Sequence, residues 1–169
     1  MNSTNTSHSD SRIVIHTDGS CIGNPGPGGF AAIMRRIEGE RLIKEKLIVG
    51  HERETTNNRM EMMAAITALD AVKTDEPVLI RSDSKYLIDG VTRWLAGWKA
   101  NSWRLSDGKP VKNVDLWQRF DEQVSSRKVT FEWVRGHSAD LLNERADRLA
   151  NAQARKAEAV VNLVVIEWE

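Results

Sequence analysis

One cysteine, Cys21, stands among 169 residues, which excludes an internal disulfide framework and a cysteine-rich zinc site and fits a reducing, cytoplasmic compartment. No apolar run approaches the ~20 residues that a membrane-spanning helix needs. The first eleven residues are rich in Ser, Thr and Asn and lack the apolar stretch of a signal peptide, so residues 1–11 read as a disordered tail. An excess of charge is missing too. With 24 basic residues against 24 acidic ones, overall charge gives no general attraction to nucleic acid. At this length the chain is most simply one domain, able to bury roughly two thirds of the surface its unfolded form exposes.

What the sequence does contain is four separated acids in unusual settings. Asp18 closes a strand-like stretch over 13–18 and shares its alternating face with Val14 and His16, although Asp-Gly is also a routine turn signal. Glu61 lies in a helical stretch over 60–73, where at about 100° per residue it points with Ala64, Ala65, Ala68 and Val72. A carboxylate in the middle of an apolar stripe costs several kcal/mol unless a cation or hydrogen bonds compensate it. Asp83 ends the apolar run 78–83, at the carboxyl end of a strand where open α/β sheets place their ligands. A helix-cap role suits it equally. Asp147 sits at the edge of a stripe made by Leu142, Ala146, Leu149 and Ala150, and His137 occupies a loop ahead of that helix. If the fold gathers these acids, they make a divalent-metal site. The glycine-rich segment 19–29 has neither a Walker A lysine nor Rossmann spacing, which excludes a nucleotide-phosphate cradle.

Charge and aromatics are unevenly spread. From Lys85 to Lys112 the basic residues Lys85, Arg93, Lys99, Arg104, Lys109 and Lys112 face only Asp89 and Asp107, and Trp94, Trp98, Trp103 and Trp117 lie in or just after the same stretch. Basic side chains track phosphates and aromatic faces pack on sugars or bases; a solvated helical hairpin with a tryptophan-filled satellite core accounts for the pattern equally well. The periodicity predicts strands over 12–18, 28–37, 41–49, 77–83 and 128–134, and helices over 57–73, 84–90, 92–100, 113–126 and 140–156. Gly39 suggests a hairpin, so an antiparallel meander precedes a strand–helix alternation in a mixed α/β sheet. Residues 158–169, with the run Val160 to Ile166, read as a β-like tail.

Several stretches together carry a family resemblance. They are Thr17-Asp18-Gly19-Ser20-Cys21 with Gly23-Asn24-Pro25-Gly26, Thr55-Thr56-Asn57-Asn58-Arg59-Met60-Glu61, Ser82-Asp83-Ser84, the basic Trp94 to Trp117 segment, and Trp133-Val134-Arg135-Gly136-His137 followed by Asn143-Glu144 and Asp147. In this order and spacing the chain resembles a bacterial-type type 1 ribonuclease H over about residues 12 to 155. The resemblance implies an α/β ribonuclease H-like fold, a five-stranded mixed sheet flanked by helices, with its catalytic domain over 12–157. It implies a monomeric endonuclease that cuts the RNA strand of RNA–DNA hybrids, leaving 5′-phosphate and 3′-hydroxyl ends.

By the same resemblance Asp18, Glu61, Asp83 and Asp147 bind two Mg²⁺ ions, Mn²⁺ being the alternative, and His137 assists proton transfer or product release. Cys21, Asn24, Asn57, Asn58 and Ser84 match positions that contact the hybrid, Thr56 a phosphate-binding position, and Trp94, Lys99, Lys112 and Asn113 belong to the basic surface that holds the DNA strand. Lys85 departs from a usual Gln, Ala139 from a usual Gly, and Leu141-Leu142 replaces a more polar stretch. Only a short tail precedes the first strand, so low processivity is expected. A non-catalytic binding module is disfavoured by the presence of all four acids. A resolvase or integrase on a similar fold would lack Asn57-Asn58 and the tryptophan-rich basic segment.

Overall fold

Eleven consecutive extended residues, Ser11–Cys21, form β1, and Val14 to Asp18 within it are all buried. A strand buried on both faces belongs in the middle of a sheet, and β1 is the third of five. The computed structural model describes residues 10–136 and 140–166. In it β2 (Gly26–Glu38) and β3 (Arg41–Thr55) follow β1 as an antiparallel meander turning at Gly39, while β4 (Val78–Ser82) and β5 (Val129–Trp133) add parallel strands on the other side. The order is β3-β2-β1-β4-β5, the five-stranded mixed sheet expected from the sequence. The strands of the meander run longer than predicted, and Ser11 belongs to β1 rather than to the tail.

Helices cover both faces. On one, α1 (Asn57–Asp70) and α4 (Val114–Ser125) pack Met62, Ala65, Ile66, Leu69, Trp117 and Phe120 over Ile13, Ile15, Ala32 and Met34. On the other lies α5 (Leu141–Ile166), whose buried Ala146, Ala150, Ala154 and Ala157 form a smooth stripe. Adjacent glycines of β2 show the two sides directly. A Cβ on Gly28 would strike Met60, whereas one on Gly29 would come within 2.4 Å of the Ala154 nitrogen. Neighbouring residues of a strand point to opposite faces, so the small stripe of α5 approaches the sheet where a side chain is missing.

Between β4 and α4 the chain makes α2 (Lys85–Asp89), a single π-helical turn (Gly90–Trp94) and α3 (Leu95–Ala100). The two helices predicted over 84–100 thus run together. The β-like reading of Val160 to Ile166 is overturned: α5 continues through Ile166. Extending an existing helix fixes one residue for each hydrogen bond gained, and β-branching costs only tenths of a kcal/mol per residue. His137 and Ala139 lie outside the described residues, as do residues 1–9 of the tail. Among the described helices none is long and apolar enough to cross a membrane.

Candidate active site

Register brings the first two acids together. Thr17 of β1 pairs with Ser82 of β4 at the end of a parallel ladder, so Asp18 and Asp83, the next residues on each, emerge side by side where β4 stops. Glu61 arrives from α1, whose start is set by Thr56, the hydroxyl of which accepts from the Arg59 amide at 3.3 Å. Helix and strand approach closely because residue 19 is Gly: a Cβ there would fall 2.3 Å from the Glu61 nitrogen. The helix-cap reading of Asp83 is settled by its neighbour. Ser84 caps α2, its hydroxyl accepting from the Leu87 amide at 3.1 Å, and the Asp83 carboxylate is left to the cavity.

One carboxylate oxygen from each of Asp18, Glu61 and Asp83 lies within 4.8 Å of the others. Asp147 lines the same cavity of about 410 Å³, along with Ser20, Asn57, Asn58, Ser84 and Lys85. It stands on the edge of α5 between the alanine stripe and solvent, as its position in the sequence suggested, and Asn143 and Asn151 occupy the same edge one turn to either side. Asn151 donates to Asp147 at 3.1 Å and accepts from the Ser20 hydroxyl at 2.6 Å.

Packing acids this tightly perturbs Asp18, Glu61 and Asp83. Burial, then the charges of Asp83 and Asp147, push the Asp18 carboxyl up to about 8. Burial and the Asp18 charge drive Glu61 well above the ordinary carboxylate range. Asp83 is also raised by burial, against hydrogen bonds from Asp18 and Asn143 that pull it down. Glu61 Oε2 is buried without a hydrogen-bond partner, the position of a ligand atom awaiting a cation. Among the described residues the converging donors are carboxylate oxygens, the set that hard divalent cations such as Mg²⁺ take.

Residues 10–155 match the family model described as RNase H. The chain belongs to the RNase H family. A ribonuclease H of Maricaulis maris (strain MCS10) is 55% identical over 149 residues, covering 86% of this chain and 97% of the relative. One from Paracoccus denitrificans (strain Pd 1222) is 53% identical over 136 residues, covering 80% and 88%. Among solved structures, LC9-RNase H1, a type 1 RNase H with the type 2 active-site motif, superposes with a TM-score of 0.76 at 31% identity, covering 86% of this chain and 72% of that one. LC11-RNase H1, solved in complex with an RNA/DNA hybrid, gives 0.64 at 25% identity, covering 86% and 99%. RNase H enzymes are endoribonucleases, and so is this chain.

Around the acids, the other residues predicted for this RNase H fall into two groups. Asn24 accepts from the Asn57 amide at 2.9 Å, which ties the glycine-rich turn to the start of α1 beside Asn58 and Thr56. Cys21 is half-buried, its thiol directed at the Gly26 and Thr55 carbonyls. Farther off, Asn113 adopts a left-handed conformation with φ of 57° and donates to the Tyr86 hydroxyl at 3.0 Å, while Arg59 donates to it and forms a two-pronged pair with Asp115. Lys112 is exposed, whereas Lys99 is drawn onto Asp121 at 3.0 Å. The tryptophans fill the main core rather than a satellite one, with one ring left outside. Trp117 is fully buried in the main core with the Trp98 ring tilted against it at 5.2 Å, and Trp94, beside Trp98, is 42% exposed.

Sequence reasoning missed Ser20 and Asn151 as the support of Asp147, and Tyr86 as a wall of the cavity. Their signals were spacing alone: Ser20 lies two residues beyond Asp18 on a strand, and Asn151 one turn beyond Asp147 on a helix.

Proposed function

We propose that the chain hydrolyses the RNA strand of RNA–DNA hybrids at the cavity of Asp18, Glu61, Asp83 and Asp147, leaving 5′-phosphate and 3′-hydroxyl ends. The observation that carries this reading is the convergence of three carboxylates around a buried, unpartnered Glu61 oxygen in a chain of the RNase H family. The four acids are the ligands of two Mg²⁺ ions, with Mn²⁺ as the alternative. When bound, such ions supply a water nucleophile at neutral pH and stabilise charge on the leaving oxygen.

The chain's own residues do the rest. Glu61 and Asp18 are held by helix and strand backbone, so the site is formed before substrate arrives. Asp83 is fixed by two neighbours, Ser84 taking the cap role and the Trp133 indole N–H donating to its carbonyl at 3.1 Å. Asp147, only partly buried, is held by Asn151. Asn57, Asn58 and Ser84, which line the cavity, and Cys21 and Asn24 on the adjoining glycine-rich turn meet the hybrid's minor groove, where 2′-hydroxyls distinguish RNA from DNA. Thr56, Trp94, Lys99, Lys112 and Asn113 face the DNA strand, and His137 serves proton transfer or product release. The enzyme works as a monomer in the cytoplasm.

The test is cleavage of an end-labelled RNA–DNA hybrid beside single-stranded RNA, duplex RNA and duplex DNA, with Mg²⁺, with chelator, and with Asp83→Asn. Metal-dependent cutting confined to the hybrid's RNA strand, lost in Asp83→Asn while hybrid binding persists, is the expected result. Wild-type turnover by Asp83→Asn would remove the metal-site assignment.

A further inference from the structure

A second groove adjoins the acid cavity, and Lys85 lines both. Its volume is about 240 Å³, and Ile88, Asp89, Thr92, Arg93 and Trp133 complete it. The Lys85 ammonium sits 5.2 Å from the centre of the Trp133 ring, a cation–π distance. Trp133 is 44% exposed at the end of the edge strand β5, and its indole N–H donates to the Asp83 carbonyl at 3.1 Å. One end of this aromatic platform therefore anchors the loop of a catalytic acid, and its face steadies a lysine that would otherwise swing freely. Arg93 adds a guanidinium with 73% of its side chain exposed.

The groove's one carboxylate, Asp89, stands 3.7 Å from Arg93. A surface pair that long is weak and exchanges readily for a stronger anion. The balance of Lys85, Arg93 and Asp89 is positive, next to a cavity of four acids that no bare phosphate would approach unaided. The indole, tied to the Asp83 carbonyl at its edge, leaves its face open beside the Lys85 ammonium. It suits the path of a strand carrying successive phosphates, which in duplex DNA follow at about 3.4 Å of helix axis.

We propose that Lys85 and Arg93, with Lys85 held over Trp133, form a subsite for a backbone phosphate of the RNA strand, displaced from the scissile phosphate on the side of β5. The inference rests on the hybrid-cleaving reading above. Lys85 and Arg93 bind this phosphate and Trp133 positions Lys85; none of the three touches the reacting atoms. Binding here sets where along an RNA strand the acids engage, and so how much RNA must extend past the cleavage point.

Single neutral methylphosphonate linkages, placed one at a time along the RNA strand of a short hybrid, test this with the wild-type enzyme, Lys85→Gln, Arg93→Gln and Trp133→Phe. At one linkage away from the cleaved bond, wild-type KM should rise roughly threefold to tenfold with kcat retained, and Lys85→Gln should be insensitive to that same linkage. On unmodified hybrid, Lys85→Gln should raise KM by a similar factor and lower the salt slope of binding by about 1. Trp133→Phe should overlap with Lys85→Gln rather than add to it. The proposal fails if no linkage shows this overlap, or if Trp133→Phe lowers kcat alone, as a mere strut for Asp83 would. A wild-type enzyme that cuts no hybrid at all would instead overturn the function reading.

Discussion

Asn151 holds Asp147 by an amide-to-carboxylate hydrogen bond of 3.1 Å, and is itself held by Ser20. The contact joins α5 to β1 at the edge of the cavity, where a partly buried carboxylate would otherwise choose among rotamers. Groups that orient a metal ligand typically carry 10–100-fold in affinity or activity. Asn151→Ala is therefore expected to lower turnover by about tenfold or more at limiting Mg²⁺, with partial recovery as Mg²⁺ is raised. Turnover titrated against Mg²⁺ for the two proteins measures it, and identical curves would reduce Asn151 to a surface residue.

Asp18 makes stability depend on pH in an unusual direction. Burial raises its carboxyl from 3.8 to about 8, so the folded state binds a proton that the unfolded state has released. Stability from this group is complete below the unfolded value and is lost as pH climbs towards the folded one. In chelator the melting temperature should fall between about pH 5 and pH 8, and Mg²⁺ should restore more of it at the alkaline end. Asp18→Asn should flatten the slope while abolishing activity. Glu45 and Asp115, held low by hydrogen bonds from Arg145 and Arg59, act in the opposite sense only under more acid conditions. Calorimetric melting across this range decides it; a slope unchanged in Asp18→Asn would place the proton elsewhere.

Gly19→Ala tests how the site is spaced. The added methyl would meet backbone atoms of Met60 and Glu61 at 2.5 and 2.3 Å, neither of which can rotate away. Either α1 moves off β1 or the variant loses about 1–3 kcal/mol to overpacking. Both outcomes shift Glu61 relative to Asp18, so kcat should fall even where the fold survives. Urea unfolding and hybrid turnover on the same sample separate the effects.

Two tryptophans of one contiguous aromatic series should behave differently. Trp94→Ala removes an exposed ring and is expected to weaken hybrid binding by about 1–3 kcal/mol with little change in melting. Trp117→Ala empties the core between Tyr86 and Phe120 and should cost about 3–5 kcal/mol of stability. Equal effects of the two on stability would contradict this division.

Much of the architecture was legible because its elements are locally consistent. The alternation in β1 and the apolar helix carrying Glu61 needed no partner to be recognised, and Glu61 stood out because a charge on a buried stripe conflicts with its surroundings. The convergence itself was not readable from residue patterns, since it depends on the pairing of Thr17 with Ser82, a long-range register that no local pattern encodes. Whether Asp83 caps a helix turned on the single hydroxyl of Ser84. Val160 to Ile166 misled because β-branched residues signal strand locally, and the helix already running into them prevails. Lys99 was named with the basic surface that the resemblance implies, and neither charge nor resemblance reveals that Asp121 from α4 engages it.

Helix α5 has a consequence for the order of synthesis. Asp18, Glu61 and Asp83 leave the ribosome on elements that pair and pack among themselves, but Asp147 and its support Asn151 come later, on the helix that closes the far face of the sheet. Until that helix docks along Gly29, the emerging chain has three acids of the four. A nascent chain therefore carries the proposed four-acid site incomplete until its last helix is made.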